Sequence, residues 1–207
     1  HIIYNGIDNI FSNNKLKKNR TKIRKDLNIN DKIVIGYIGT VGMTHDLISI
    51  IKQLKNLPAK YHLIIIGEGA TKQEIFEYIK INNLKNITLL DSIPKERVPS
   101  YINSIDLSLI HLKKCDTFKN VIPSKIFENA AMGKKIILGV EGESKKIIEK
   151  YNLGVAFEPG NFNDFVSALD KSKLLKTKNR DQFLKEFSRD NQANKMYKLL
   201  KNLYSKN

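Results

Sequence analysis

Two patterns of apolar positions alternate along the chain. Short apolar runs rich in β-branched residues predict six strands, at 33–38, 62–66, 87–90, 107–110, 135–138 and 154–157. Between these runs, apolar residues recur at helical spacing, as at Leu47, Ile51 and Leu54. Strands that alternate with helices predict βαβ units and a parallel sheet covered on both faces.

Two segments depart from this alternation. Residues 1–31 hold YNGID followed by a basic stretch. Residues 179–207 predict one long polar helix, with apolar positions at Phe183, Phe187, Met196, Leu199, Leu200 and Leu203. We therefore predict a domain over 32–178, a basic lead-in over 1–31, and a final helix over 179–207 that needs a partner surface. Because the chain starts with His1 rather than Met, we expect a piece of a longer protein.

The composition is that of a globular domain of 207 residues, with 41% hydrophobic and 28% charged residues. No run of about 18 apolar residues is present, so we expect no membrane-spanning helix. The single Cys115 cannot form an internal disulfide, which fits the cytoplasm.

The net charge of +15 comes from 36 Lys and Arg against 21 Asp and Glu. It favours anionic partners, but abundant lysines on solvated surfaces, as at 16–25 and 170–180, explain most of it. A peripheral contact with an anionic inner membrane is the second interpretation. Nucleic-acid binding is the least favoured interpretation of the charge, because no basic–aromatic platform or nucleic-acid-binding motif is visible. We therefore expect no nucleic-acid partner.

Ligands of an open parallel sheet bind beyond the carboxyl ends of its strands. The loops there are 39–42, 67–69, 92–94, 111–123 and 141–143. Two of them are glycine-rich turns that let a ligand approach the backbone, although either alone is also an ordinary strand-to-helix turn.

The segment 121–143 is more specific. Pro123 and Ser124 predict a helix start, with Ser124 as its cap. Lys125 in the first turn opposes the helix dipole unless a phosphate binds there, together with the free N–H groups. Glu128, three residues on, lies on nearly the same face and could accept hydrogen bonds from ribose hydroxyls. A plain surface pair of Lys125 and Glu128 is the alternative.

This segment resembles the C-terminal lobe of the retaining GT-B glycosyltransferases of the group 1 family (family 4). The likeness covers YNGID (4–8), IGYIGTVGMTHDL (35–47), LIIIGEGATKQEI (63–75), 87–112, PSKIFENAAMGKKII (123–137), 139–148 and 153–169. It is strongest to O-antigen and capsule transferases that use UDP-linked N-acetylated deoxyhexoses such as N-acetylfucosamine. The resemblance implies an α/β fold, a Rossmann-like parallel sheet of about six strands with helices on both faces.

The resemblance also implies roles for individual residues. Glu128 matches the glutamate that holds the ribose, and with Lys125 it is the expected catalytic pair. The residues expected to bind the donor are Gly39, Thr40, Gly42, His45, Gly67, Ile93, Asn120, Ser124, Lys125 and Glu128. We expect His62, His111 and Cys115 to be structural, and we expect no metal site.

This sequence departs from the family pattern at four positions. Asn120 replaces the first glutamate of the Glu-x7-Glu motif, and Thr40 replaces the usual arginine of the glycine loop. His45 aligns with the usual lysine, and Asp46 with the following glycine. His45 could contact phosphate, and the alternative is a residue packed locally at a helix start. Phosphate binding should therefore depend on Lys125 and backbone N–H groups.

The function implied is retaining, metal-independent transfer from a UDP-sugar to a surface glycan of the lipopolysaccharide or capsule type. The glycan or lipid-linked acceptor would bind a separate N-terminal lobe, against which the final helix packs. The expected location is the cytoplasm, at or near the inner face of the plasma membrane. A non-catalytic nucleotide-binding or regulatory α/β module is the alternative.

Overall fold

The computed structural model describes residues 2–11, 19–177 and 179–205. Six parallel strands form one sheet in the order β3-β2-β1-β4-β5-β6. The strands are β1 Ile33–Ile38, β2 Tyr61–Ile66, β3 Ile87–Leu90, β4 Leu107–His111, β5 Lys135–Gly139 and β6 Gly154–Ala156. All six predicted strands are confirmed, with ends within one residue of the prediction.

Helices connect the strands and cover the sheet. They are α1 Asn19–Asp26, α2 Leu47–Ile51, α3 Lys72–Ile81, α4 Val98–Ser104, α5 Lys125–Ala131, α6 Glu143–Lys150, α7 Phe162–Leu174, α8 Arg180–Glu186 and α9 Arg189–Tyr204. The predicted Rossmann-like α/β architecture is confirmed. Within the described residues, no helix is both long and apolar enough to span a membrane.

Alternate strand residues bury opposite faces of the sheet. Tyr37, Ile65 and Leu109 pack under α2, α3 and α7. Ile110 and Ile136 pack on the other face with α4, α5, α6 and α8. Because both faces are buried, the strands are continuous apolar runs in the sequence.

The strand order reverses between β1 and β4, which lie side by side although β2 and β3 separate them along the chain. In open parallel sheets, the loops after two such strands diverge to opposite faces and leave a crevice at their carboxyl ends. That crevice is bordered here by the glycine turn after β1 and by the loop that leads from β4 to α5.

The prediction of one helix over 179–207 is wrong, since the chain bends between α8 and α9. Ser188 is extended there, and its hydroxyl accepts a hydrogen bond from the Asn191 N–H at 3.2 Å. Phe183 and Phe187 are buried in the core of the domain. The other predicted apolar positions lie on α9, where Leu199 is half-buried and three others are largely exposed: Met196 (53%), Leu200 (56%) and Leu203 (64%).

The two ends of the chain meet on the face that carries α5 and α6. The Ile7 N–H donates to the Phe187 carbonyl at 2.8 Å, and the Tyr4 N–H donates to the Gln192 side chain at 3.1 Å. Ile7 and Phe11 are buried in the same cluster as Phe187. The segments 2–11 and 180–187 therefore share a core with the sheet.

In the basic lead-in the described lysines, Lys22 and Lys25, are exposed, as our interpretation of 16–25 expects, whereas two arginines of the same helix are not simply solvated. Arg20 and Arg24 of α1 both bind Asp106, with N–O distances of 2.5 and 3.0 Å, and Arg24 is only 7% exposed. Residues 16–18 lie outside the described residues. In 170–180 the described lysines are exposed as expected, whereas the Arg180 guanidinium donates to the Ala130 carbonyl at 3.0 Å.

Candidate functional site

The glycine turns after β1 and β2 touch through their backbones. Gly39 and Gly67 have φ of +136° and +153°, which L side chains rarely adopt. A Cβ added at Gly67 would lie 1.9 Å from the Gly39 carbonyl oxygen, and one at Gly69 would lie 2.2 Å from the Val41 oxygen. Only glycine fits at these two contacts, so the turns form one continuous floor.

The Lys125 side chain crosses this floor. A Cβ added at Gly39 would lie 2.5 Å from Lys125 Cε and 2.8 Å from Nζ, so the ammonium rests on the glycine. It also lies 5.2 Å from the centre of the Tyr37 ring. Among the described residues, the Lys125 ammonium makes no hydrogen bond or ion pair. Burial lowers its pKa, and the nearby Glu128 partly opposes this effect.

Glu128 lies one turn further along α5 and is half-buried. Burial raises the pKa of its carboxyl, whereas a hydrogen bond from the Ser124 hydroxyl and the charges of Lys125 and Lys95 lower it. The Lys125–Glu128 surface ion pair that we considered as the alternative is not formed. A half-buried ammonium without a hydrogen bond or ion pair, one turn from a half-buried carboxylate, is typical of a ligand site.

The start of α5 differs from the prediction. Ser124 has helical φ and ψ, and its hydroxyl caps no N–H group. The Ile126 and Phe127 N–H groups already donate to the Pro123 and Ser124 carbonyls, at 3.1 and 2.9 Å. These two groups are therefore not free for a phosphate, which increases the dependence of any anion site on Lys125.

His45 closes the turn after β1. Burial, followed by the charge of Lys125, lowers its pKa to about 4, so it is neutral near pH 7. Its carbonyl accepts a hydrogen bond from His111 Nδ1 at 2.8 Å. Asp46 takes the left-handed conformation, with φ of 43°, at the position where the family has glycine. Asp is among the few residues that tolerate this conformation.

The other residues predicted to bind the donor are Thr40, Gly42, Ile93 and Asn120. Gly42 is next to His45 and Thr40, since a Cβ on it would lie 3.6 Å from His45 Nδ1 and 3.7 Å from Thr40 Cγ2. Ile93 follows β3 and packs partly buried beside the sheet. Asn120 is exposed at the end of a short 3₁₀ helix, Asp116–Asn120, and no described contact brings it to Lys125.

The histidines and the cysteine expected to be structural lie as follows. His62 is 8% exposed and pairs with the Thr88 hydroxyl at 2.8 Å. His111 is 1% exposed and stacks on Phe157, whereas Cys115 is exposed. Among the described residues, no group of three His, Cys, Asp or Glu side chains could hold a metal ion.

Sequence reasoning missed one ionic cluster near Glu128. Asp8 of the YNGID segment accepts a hydrogen bond from Lys95 at 2.6 Å and lies 3.3 Å from Arg189. The charges of Lys95 and Asp8 both act on Glu128. Three distant segments supply these residues, so only the YNGID motif itself could have indicated that this cluster borders the site.

The sequence profile of the family described as "Glycosyl transferases group 1" matches residues 19–198. The chain belongs to this family. The match spans the crevice residues Lys125 and Glu128, as well as both glycine turns. It therefore covers the sheet and its helices rather than a single motif.

Relatives of this chain include TuaH of Bacillus subtilis strain 168, which its name assigns to teichuronic acid biosynthesis as a glycosyltransferase. TuaH is 25% identical over 191 residues, which are 92% of this chain and 46% of TuaH. Anabaena HepE, solved with UDP-glucose, superposes with a TM-score of 0.80 at 18% identity, over 98% of this chain and 57% of that one. A glycosyltransferase from Rickettsia africae ESF-5 gives 0.80 at 16% identity, over 99% and 57%. The chain thus spans about half the length of the relatives it matches.

Proposed function

We propose that this chain is the donor-binding lobe of a retaining, family 4 glycosyltransferase that uses a UDP-sugar. The observation that carries the proposal is the unpaired Lys125 ammonium, which lies on Gly39 in the crevice between β1 and β4. The UDP and UDP-glucose complexes of HepE support UDP as the nucleotide. Transfer of an N-acetylated deoxyhexose of the N-acetylfucosamine type is the finer form of the proposal and rests on the sequence resemblance.

The proposed chemistry is electrostatic. As the bond between sugar and diphosphate breaks, negative charge grows on the leaving diphosphate, and the Lys125 ammonium stabilises it. Glu128 would accept hydrogen bonds from the ribose hydroxyls. Neutral His45 would contribute a hydrogen bond rather than a charge, since its pKa is about 4. In this mechanism Lys125 takes the place that a divalent metal has in other transferases, so the proposed reaction needs no metal.

Donor binding is tested by calorimetric titration of the chain with UDP, GDP and ADP. Lys125→Ala should weaken UDP binding roughly 10- to 100-fold, because a charge-assisted hydrogen bond contributes about 1.5–3 kcal/mol. Glu128→Gln should weaken it about 10-fold. Lys80→Ala removes the same charge from an exposed position at the far end of α3 and should leave the affinity unchanged.

Two results would contradict the donor site. One is equal UDP affinity in wild type and in Lys125→Ala. The other is equal weakening by Lys125→Ala and Lys80→Ala, which would indicate binding through overall charge alone. A titration with DNA tests the nucleic-acid interpretation, because binding to DNA would weaken steeply as the salt concentration rises. No DNA binding at physiological salt would contradict that interpretation.

The acceptor side of the reaction is proposed to belong to a second, N-terminal lobe. The chain spans 46% of TuaH and 57% of HepE, and α9 exposes Met196, Leu200 and Leu203. We propose that this face of α9 packs against the second lobe and that the isolated chain binds donor but transfers no sugar. Transfer by the isolated chain, or unchanged stability of the two-lobed protein in Leu200→Asp, would contradict this arrangement.

The remaining biological context is also proposed. The names of TuaH and of WaaG, a lipopolysaccharide glycosyltransferase with a TM-score of 0.70 at 15% identity, support a bacterial surface glycan of the lipopolysaccharide or capsule type as the product. We propose a cytoplasmic enzyme that meets a glycan or lipid-linked acceptor at the inner face of the plasma membrane. The net charge of +15 supports a peripheral contact with anionic lipid.

A further inference from the structure

A second cavity of about 360 Å³ lies at the opposite, amino-terminal edge of the sheet. The first residues of four strands line it: Ile33, Tyr61, Leu107 and Lys135. β1 has six residues, so about 20 Å of strand separates this cavity from the crevice that holds Lys125. The two sites are therefore distinct.

Positive charge dominates the lining of this cavity. Arg20, Lys134, Lys135 and Lys173 contribute cations, and Asp106 is the one acid among the lining residues. Arg20 binds Asp106 at 2.5 Å, and Arg24 binds it as well. The carboxylate is therefore already shared by two guanidinium groups and, among the described residues, forms no ion pair with the lysines.

Lys134 forms no ion pair with the nearby Asp106, whose charge only partly offsets that of Arg20. Its ammonium donates to the carbonyls of Asn103 and Ile105 at 2.9 and 2.8 Å, and Arg20 donates to the same two oxygens. No acid within 4.0 Å pairs with Lys134 among the described residues. Burial and then the charge of Arg20 lower its pKa to about 8, and an anion in the cavity would reverse that shift.

Tyr61 supplies a donor that needs an acceptor. The residue is 4% exposed, and its hydroxyl oxygen is buried without a hydrogen bond that meets normal geometry among the described residues. The Lys173 ammonium, bonded to Asp170 at 2.5 Å, also interacts with this hydroxyl. An ammonium can only donate, so the phenolic proton itself has no acceptor. A ligand oxygen in the cavity would accept it.

We propose that this cavity binds a phosphate monoester. Lys134 and Lys135 each donate to two backbone carbonyls and keep one N–H of the ammonium, and Tyr61 adds its hydroxyl. The several oxygens of a phosphate can accept from these separate directions. A phosphate monoester carries a charge of about −2 near pH 7, which matches the excess of cations. The phosphate monoester can come from a free phosphorylated metabolite or from phosphatidic acid, the phospholipid whose headgroup is itself a phosphate monoester.

The test follows the Lys134 side chain by NMR while glycerol 3-phosphate is added. Binding should give a saturable shift of the Lys134 resonances and raise the pKa of Lys134. Tyr61→Phe should weaken this binding about 10-fold. It should lower the Tm only slightly in the absence of ligand, because the hydroxyl loses no more than its contact with the Lys173 ammonium.

Several outcomes would overturn the site. One is no shift of Lys134 at millimolar glycerol 3-phosphate, and another is a marked fall of the Tm in Tyr61→Phe, which would reveal an internal acceptor for the phenolic proton. The Lys125→Ala variant distinguishes binding in the crevice from binding in this cavity. Binding that survives in Lys125→Ala and weakens in Tyr61→Phe supports the second site, and the reverse pattern places the phosphate at the crevice instead.

Vesicles then distinguish the two sources of phosphate. Sedimentation with phosphatidic acid vesicles that weakens in Tyr61→Phe, and that glycerol 3-phosphate inhibits, supports the site with a lipid headgroup as ligand. Glycerol 3-phosphate binding without such sedimentation supports it with a free metabolite. Phosphatidylcholine vesicles, which carry no net charge, are the matched control.

Discussion

Gly67 lies where two turns leave no room for a side chain. A Cβ there would lie 1.9 Å from a backbone oxygen, whereas a Cβ on Gly160, which also has positive φ, would meet nothing within 4 Å. Gly67→Ala should therefore lower the free energy of unfolding by roughly 2–4 kcal/mol, and Gly160→Ala by about 1 kcal/mol. Urea unfolding of both variants measures the difference. Equal losses of stability in Gly67→Ala and Gly160→Ala would mean that the positive φ alone, and not the contact with the Gly39 carbonyl oxygen, requires glycine at position 67.

His111 positions the turn that carries His45. Its Nδ1 bonds the His45 carbonyl at 2.8 Å, and its Nε2 is buried without a partner among the described residues. Asn can place an N–H where Nδ1 lies, and Gln cannot. His111→Asn should therefore keep the UDP affinity, whereas His111→Gln should weaken it about fivefold, the equivalent of about 1 kcal/mol. Equal affinities in calorimetry would show that this hydrogen bond does not position the turn.

Among the elements, α1 is held to the sheet through one carboxylate. Asp106 accepts hydrogen bonds from Arg20, Arg24 and the Val34 N–H, and the Arg24 side chain is only 9% exposed. Asp106→Asn should lower the free energy of unfolding by about 2–3 kcal/mol, since it leaves a buried guanidinium without its counter-ion. Urea unfolding measures this. The double variant Asp106→Asn, Arg24→Met should regain part of the lost stability, because the buried guanidinium is then absent. If the losses of the two single variants simply add in the double variant, the ion pair is contradicted.

The strands could be predicted from sequence because strands buried on both faces are continuous apolar runs. The bend between α8 and α9 was missed because the helical apolar spacing continues past Phe187. Ser188 followed by Asp190 was the available signal for a new helix start. The burial of Arg24 had no local signal, because its partner Asp106 lies 82 residues away in the chain.

The candidate site was predicted only in part, for similar reasons. The family motifs placed Lys125, Glu128 and the glycine turns at one edge of the sheet, and the structure brings Lys125 onto Gly39. The hydrogen bonds that occupy the first N–H groups of α5 were not foreseeable, because they depend on local backbone geometry. The cluster around Asp8 also depends on tertiary contacts between distant segments.

For the whole molecule, the buried histidines predict a loss of stability in acid. Burial lowers the pKa of His45 to about 4 and also lowers the pKa values of His62 and His111 below the usual 6.5. Below about pH 6.5 the unfolded chain therefore binds protons that the folded chain does not, so stability falls as the pH decreases. The raised pKa of Glu128 acts in the opposite direction, and the lowered pKa of Asp106 matters only below about pH 4.

Urea midpoints measured at pH 7.5, 6.5 and 5.5 should therefore decrease in that order. His111→Asn should show a shallower decrease, because one of the three histidines is absent. Constant or rising midpoints over this range would contradict the assigned histidine environments.

The contact between Gly39 and Gly67 also determines how a ligand can enter and leave. Because the Gly39 and Gly67 backbones are in contact, a ligand cannot pass between the turns after β1 and β2. A molecule that reaches the ammonium above them must arrive from the outer side of the crevice and depart by the same route. A movement that encloses the ligand must therefore come from the side of the crevice opposite the two glycine turns, while the turns themselves stay in place.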